Sequence, residues 1–480
     1  MIVARALPCL LLLVACRDSS SSGPPDSRPI DGAPADGAEG DGIVDGPPSD
    51  VMPTSVTRVW AVGDLLVNNT NIAGGFPADA QLPFSPATMT PIRVPGGTAV
   101  LATQTNNVFD ARGTKIAYIA DATVTGRFDL NVADADGSNP IVVVQGGTVN
   151  VEITSVALSP DGTKVAFTMD SAAVDGGLDL YVAATTAGAT PILVSPSRGG
   201  AVAPALDVFP QPEWSRDSKY VAFAADLTED GFDQVYVTDT SAVTPVAVEV
   251  VTRADITATT GARGVRGRVL FDAANNLYFR ARLTDGQFAF YKSDVAGAEA
   301  AIPLPVRGDT STPDAGAFGI TPDGTKLVFS ADAPTLGIYD VYIATTANLA
   351  AATKITTIAA IGNATLNAQF SGVFAFSPDG LKVAVTANFL SGGDNTFEPF
   401  VIALDGSTTT RLAAVPANTN QDTDVVVWAD NATVFAQGDI VTSNDAALYK
   451  LDATMANQTP TPAVTAPTGG DIFNVFVARP

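Results

Sequence analysis

The chain has 480 residues, 46% of them hydrophobic and 16% charged, with 42 Gly, 33 Pro, two Cys and no His. The apolar share is enough for a core and rules out wholesale disorder. The missing imidazole rules out a Ser-His-Asp or Cys-His centre, histidine-ligated zinc and a histidine pH switch. A formal charge of −24 opposes phosphate backbones and anionic head groups, so no nucleic-acid partner is expected.

Residues 1–15 carry Arg5 followed by the apolar run 6–15, which is shorter than the roughly 20 residues a membrane-crossing helix needs. It suits the apolar centre of a signal peptide. Leu13-Val14-Ala15-Cys16 resembles the bacterial lipobox, and the resemblance implies cleavage after residue 15 and lipidation of Cys16; the alternative is a plain secretory signal. Cys9 then departs with the leader and Cys16 is capped, so no mature disulfide is expected and packing must supply the stability. Arg17 stands after Cys16 where the resembled class carries an inner-membrane-retaining Asp, which tilts the expected address toward the outer membrane, on its periplasmic face or at the cell surface. Residues 16–55 are rich in Ser, Gly, Pro and Asp and form no core-building pattern. Their Asp-Gly pairs lack calcium-loop spacing, so the segment reads as a disordered tether with a root-mean-square reach of about 35 Å.

From residue 56 the chain repeats. Ser159-Pro160-Asp161-Gly162-Thr163-Lys164, Thr321-Pro322-Asp323-Gly324-Thr325-Lys326 and Ser377-Pro378-Asp379-Gly380-Leu381-Lys382 are the clearest copies. Weaker ones bring the marker residue to 110, 159, 215, 272, 321, 377 and 429, in steps of 49 to 57. Periods of this size mean solenoids, propellers or arrays. Ser/Thr-Pro-Asp-Gly is turn chemistry, since Pro presets φ, Asp bonds nearby backbone and Gly takes the left-handed position. The β-rich runs on either side make each motif a hairpin, and two further apolar runs follow before the next copy. Four short antiparallel strands per repeat, with no helical periodicity, predict an all-β propeller with one blade per repeat. Residues 471–480 look like an innermost strand, and 58–67 like the second strand of a blade. The C-terminal strand is therefore expected to join the N-terminal strands and close a ring of eight blades, with seven as the alternative count.

The pattern Ser-Pro-Asp-Gly-x-Lys-hydrophobic-Ala-Phe, followed by an acidic residue and a Tyr-containing strand, resembles the WD40-like repeat of TolB-type propellers across 56–480. The resemblance implies an envelope protein that acts by binding. The same repeat builds the gating propeller of prolyl-oligopeptidase-like enzymes, but the chain has no G-x-S-x-G elbow and no histidine, so that peptidase activity is not expected.

Candidate chemistry is sparse. Asp129, Asp179, Asp233, Asp340 and Glu398 open third strands and would form a carboxylate ring for a cation or basic peptide, or else serve their own blades as hydrogen-bond acceptors. The segment 134–140 offers oxygen ligands but falls in an expected turn. Trp60, Trp214 and Trp428 sit in or beside inner strands, where burial is expected and saccharide stacking is the alternative. Arg263, Arg266, Arg268, Arg280 and Arg282 gather in the fourth repeat, as a solvated face or an anion site. No catalytic, metal-binding or cofactor-binding residue is assigned. The expected function is a monomeric, lipid-anchored, non-enzymatic scaffold for an envelope protein or polymer, touching the membrane only through its lipid. The alternative is a histidine-free, metal-assisted hydrolase or lyase with a carboxylate-lined funnel.

Overall fold

On both sides of each Pro-Asp-Gly corner, runs of Val, Ala, Ile and Phe become paired strands in the computed structural model. It describes residues 58–478 without 67–69, 78–88, 96, 99, 102–107, 122–126, 147–152, 171–176, 197–206, 210, 260–262, 298, 306–311, 334–337, 358–373, 391–395, 417–420, 443–445 and 465–471. The expected leader, Cys16 and tether lie outside the described residues, as do 471, 479 and 480 of the expected innermost strand and 67 of the expected 58–67 strand.

The strands assemble in chain order, mostly by fours. β1 (Arg58–Leu66), β2 (Thr70–Pro77) and β3 (Thr90–Pro91) form one sheet, followed by the small pair β4 (Arg93–Val94) and β5 (Gly97–Thr98). β6 (Val100–Leu101), β7 (Phe109–Arg112), β8 (Lys115–Asp121), β9 (Phe128–Asp134) and β10 (Ile141–Val144) make the next. β11 (Ile153–Leu158), β12 (Lys164–Met169), β13 (Asp179–Ala184) and β14 (Ile192–Leu193) follow in simple antiparallel order.

Two groups then merge. β15 (Glu213–Trp214), β16 (Tyr220–Ala225), β17 (Phe232–Asp239) and β18 (Ala247–Val251) join β19 (Arg263–Val265), β20 (Leu270–Phe271), β21 (Leu277–Arg282), β22 (Ala289–Ser293) and β23 (Ala300–Ala301) through a short parallel contact between β17 and β19.

Three more sheets of four complete the series. They are β24 (Ala315–Ile320), β25 (Lys326–Ala331), β26 (Asp340–Thr345) and β27 (Asn348–Lys354); β28 (Ala375–Phe376), β29 (Lys382–Ala387), β30 (Glu398–Ala403) and β31 (Thr409–Arg411); and β32 (Thr423–Trp428), β33 (Thr433–Gly438), β34 (Ala447–Asp452) and β35 (Pro462–Val464). The last strand, β36 (Ile472–Ala478), runs antiparallel beside β1, with Val59 opposite Val477 and Ala61 opposite Val475. Outer strands vary most: β14 holds only two residues and β27 holds seven. An outermost strand pairs on one side only, so its sequence is less constrained.

Second strands are buried on both faces, as in Val165 to Met169 of β12, because each sheet is sandwiched between its neighbours. In four sheets the Phe of the second strand stands directly opposite a Tyr of the third. Phe167–Tyr181, Phe223–Tyr236, Phe279–Tyr291 and Phe329–Tyr342 stack with ring centroids 5.4–5.9 Å apart. Such cross-strand aromatic pairs add about 0.5–1 kcal/mol each beyond area burial.

First strands of successive sheets touch in sequence: β36 meets β7, then β7 meets β11, β11 meets β15, β15 meets β20 and β20 meets β24, while β28 meets β32 and β32 meets β36. Between β24 and β28, Gly319 lies against the Phe376 ring, where an added Cβ would come 2.8 Å from the ring edge and force it to shift. Antiparallel sheets packed face to face with their first strands adjacent are the blades of a β-propeller.

Candidate functional site

Each corner joins the first strand of a sheet to its second, at one end of that sheet. In the β11–β12 hairpin the Ser159 hydroxyl donates to Asp161 Oδ1 (2.7 Å), which also accepts the Thr163 N–H (3.0 Å) and hydroxyl (2.9 Å). The Lys164 N–H returns to Ser159 Oγ (2.9 Å), and Gly162 has φ of 69°. Thr321–Lys326 and Ser377–Lys382 repeat most of this, and Ser215–Tyr220 does so with Ser218 in the glycine position. Thr321 and Thr325 hold the Asp323 carboxyl down to about 2, and Ser377 likewise lowers Asp379.

Neighbouring corners are bonded to one another. The Asp161 N–H donates to Ser218 Oγ (3.1 Å), Asn275 Nδ2 to Asp217 Oδ2 (2.9 Å), Ala273 N–H to Gly324 O (3.3 Å) and Asp379 N–H to Asn431 Oδ1 (3.0 Å). Arg216 reaches past the 272 corner to donate to the carbonyls of Thr321 (2.6 Å) and Pro322. Glu213 on β15 takes Arg112 from the end of β7 (3.4 Å) and Arg268 from the segment between β19 and β20. Burial alone would raise the Glu213 carboxyl, but the Arg268 and Arg112 guanidinia outweigh it and hold it below its ordinary value.

The five third-strand acids sit at the opposite end, as the pairing of Asp179 with Met169 shows. They do not pool, and each is bonded to protein groups nearby. Asp129 takes Nε and Nη2 of Arg127 and the Gly146 N–H (2.9 Å), and Asp179 lies 3.5 Å from the Ser195 hydroxyl. Asp340 takes Thr356 (2.6 Å) and Lys354 (2.8 Å), and Glu398 takes Arg411 (3.1 Å) and the Val415 N–H (3.1 Å). Asp233 pairs with Arg266 from β19's sheet. In the four self-contained cases the acid ties down the chain leaving the outermost strand of its own sheet.

The 134–140 segment is the turn between β9 and β10. Asp134 holds Lys115 (2.8 Å) and Asn139 (2.7 Å), and Asp136 accepts the Ser138 N–H. Among the described residues no group of three or more His, Cys, Asp or Glu could hold a metal ion. All three tryptophans are buried. Trp214 Nε1 donates to Ala157 O and Trp428 Nε1 to Ala375 O, both 2.9 Å and both on the preceding sheet's first strand, with Lys164 and Lys382 above the rings. Trp60, on β1, donates to Ala135 O (3.1 Å) and packs on Phe109. The arginines share no solvated face: Arg263 covers the Phe232 ring, Arg280 donates to Ala315 O (2.5 Å), and Arg282 faces Asp285 (3.7 Å). The reason is register, since β19 turns Arg263 toward Phe232 and β21 turns Arg280 toward Ala315 of the next sheet, while Arg282 meets Asp285 just beyond its own strand.

One set of acids escapes the sequence reading. Asp207, Asp314 and Asp422, each ahead of a first strand, donate their N–H groups to Asp226, Asp332 and Asp439 at 2.6–2.8 Å. Their carboxylates accept the N–H of Leu178, Phe288 and Phe397 from the preceding sheet. The available signal is a pair of aspartates 17–19 residues apart straddling a corner. In the third pair Asp424 lies close by. Burial drives its carboxyl up to about 6, opposed by a hydrogen bond from Gln437 and reinforced by the charges of Asp422 and Asp439.

No family model matches the chain, and no curated protein matches it. Among solved structures, a prolyl endopeptidase aligns at 14% identity over 78% of this chain and 50% of its own, with a TM-score of 0.49. The chain thus spans half that enzyme's length. The β-propeller domain of the trilobed protease from Pyrococcus furiosus aligns at 12% over 74% of this chain and 96% of its own (TM-score 0.44). A structure assigned as TolB from Agrobacterium tumefaciens aligns at 14% over 56% and 88% (TM-score 0.34). The fold rests on the strand pairing rather than on these likenesses. Among the described residues no helix is long and apolar enough to cross a membrane.

Proposed function

We propose that the chain is a lipid-anchored, TolB-like propeller of the bacterial envelope that works as a monomeric, non-enzymatic scaffold for a protein or polymer. Residues 1–15 are its leader, Cys16 carries the lipid, 16–55 is the tether and 56–480 is the propeller. The propeller has eight blades, and β36 closes the ring on β1. The outer membrane is the favoured address, because Arg17 follows Cys16. The observation that carries this reading is the lipobox-like Leu13-Val14-Ala15-Cys16 placed ahead of a repeat whose buried carboxylates and guanidinia bind one another. A framework whose charged groups are spent internally offers a partner its surface rather than a reaction centre.

Palmitate labelling and membrane fractionation test it. The wild-type chain is expected to be labelled and membrane-bound, and Cys16→Ser to lose the label and appear in the soluble fraction. An unlabelled wild type, or a Cys16→Ser protein still in the membrane, sinks the anchor. The hydrolase alternative instead expects a divalent ion retained through dialysis and a melting temperature raised by adding it back.

A further inference from the structure

The corners run on from sheet to sheet. A Cβ on Gly162 would meet Lys115 of the preceding corner at 3.3 Å, and the bonds from Asp161 to Ser218, Asn275 to Asp217 and Ala273 to Gly324 carry the run to the 321 corner. Beyond it, a Cβ on Gly380 would meet Pro322 at 3.7 Å, and Asp379 bonds to Asn431. These corners therefore share one face. In a sheet whose strands follow in antiparallel order, the turn from third to fourth strand falls at that same end.

Eight large apolar side chains are exposed among the described residues, and the four most exposed all stand in turns at the corner end. Val243 (102%) and Val246 (74%) lie between β17 and β18, Leu381 (64%) stands where two other corners have threonine, and Met455 (54%) lies between β34 and β35. Ile192, Leu193 and Val248 follow on the outer strands β14 and β18, and Val441 stands past β33 at the far end. Single exposed aliphatics are ordinary on a soluble surface; four protruding from the turns of one face are not.

Six of the eight lysines are at this end too. Lys115, Lys164, Lys219, Lys326 and Lys382 stand where second strands begin, and Lys292 one residue before β22 ends. The corner aspartates accept from their own turns, and Asp405, Asp430 and Asp452 do likewise, so charges of both signs line this face. The far end instead carries the third-strand acids and the pairs 207/226, 314/332 and 422/439, with Lys354 as its lysine. The chain arriving from Cys16 also enters at the corner end, because β1 begins at Arg58 opposite Ala478 at the end of β36.

We propose that the corner end is a second membrane contact, seating its apolar turn tips and lysines on a zwitterionic phospholipid leaflet. This docking rests on the acylated Cys16. With the lipid inserted, the tether makes the second contact intramolecular, so a few tips suffice where the free protein would not stay bound. The aliphatic tips leave water at the headgroup boundary, and the lysine stems lie beside them with their ammonium groups among the phosphates. The same phosphates repel the carboxylate-rich far end, which turns outward.

The test places an environment-sensitive dye on Val243→Cys, Leu381→Cys or Val441→Cys in the acylated full chain, bound to phosphatidylcholine vesicles. Dyes at 243 and 381 are expected to shift to the blue and to be shielded from aqueous iodide, and the dye at 441 to stay in water. Val243→Asp with Val246→Asp, both on an exposed turn, is expected to keep the melting temperature and to weaken the shielding at 381. A chain that floats with the vesicles while all three dyes stay in water overturns the docking and leaves the anchor standing. So does shielding that appears only in native envelope, which would make a protein the cover. Wild type that takes up dye, or does not float, shows Cys16 without its lipid and removes the anchor and the docking together.

Discussion

The sheet β11–β14 keeps its Pro-Asp-Gly corner, and the sheet β19–β23 has lost it. In the first, Ser159 and Lys164 close a hairpin across five residues, with Gly162 in the left-handed region. In the second, Asp272 takes over both roles. Its Oδ1 accepts the N–H groups of Ala274 and Asn276, Asn275 takes the positive φ of 62°, and the hairpin closes across four residues. The first strand there is interrupted between β19 and β20, and arginines fill the breach: Arg268 on Glu213, Arg266 on Asp233, and Arg216 passing over to Thr321. A blade therefore survives without its motif when its neighbours hold it. The corner is a local device, and the packing of sheet on sheet is a lateral one.

If lateral contacts dominate, removing one must cost more than damaging a corner. Trp214→Ala empties a fully packed site between two sheets and removes the indole hydrogen bond to Ala157 O. It is expected to lower the unfolding free energy by about 3–5 kcal/mol, read by denaturant titration; a loss below about 1 kcal/mol would place the stability in the corners instead. Glycine substitutions sharpen the contrast. At Gly188, with φ of 66° and open space around it, alanine pays only for the left-handed backbone, about 1–2 kcal/mol. At Gly324, with φ of 73°, the added carbon would also meet Ala273 N at 2.5 Å and its Cβ at 2.7 Å on the next corner. Gly324→Ala is therefore expected to be the more destabilising, and equal effects would mean that the corners do not bear on one another.

The smallest effect belongs to acid. Because folding depresses the Asp323 carboxyl to about 2, its stabilising contribution is present above about pH 4. It is lost as the pH falls toward the folded value. Asp323→Ala is expected to flatten the acid limb of the melting curve slightly, since the group is largely exposed and solvent screens it. An unchanged acid limb would show that the corner hydrogen bonds form equally in the unfolded chain.

Much of this was legible in the residues. The period, the hairpins and the strand order follow from turn chemistry and from alternation over a few positions, and the pairing of β36 with β1 follows from matching the two ends of the repeat. The aspartate pairs 207/226, 314/332 and 422/439 were not legible, although each recurs at nearly constant spacing. Their carboxylates act on a neighbouring sheet, and a repeat read along the chain does not say what lies beside it. The arginine cluster was visible, but its surroundings were not. Five basic residues within twenty positions suggest a charged face until register turns each toward a different partner.

By itself the sequence determined the hairpin corners, because a hydroxyl, a carboxylate and a glycine within five residues satisfy one another's hydrogen bonds wherever the chain goes. Tertiary structure alone decided that Glu213 gathers Arg112 and Arg268 from separate sheets. Those contacts span about one and two repeats. Burial and the closing of the sheets on one another, rather than any local preference, bring such groups within reach.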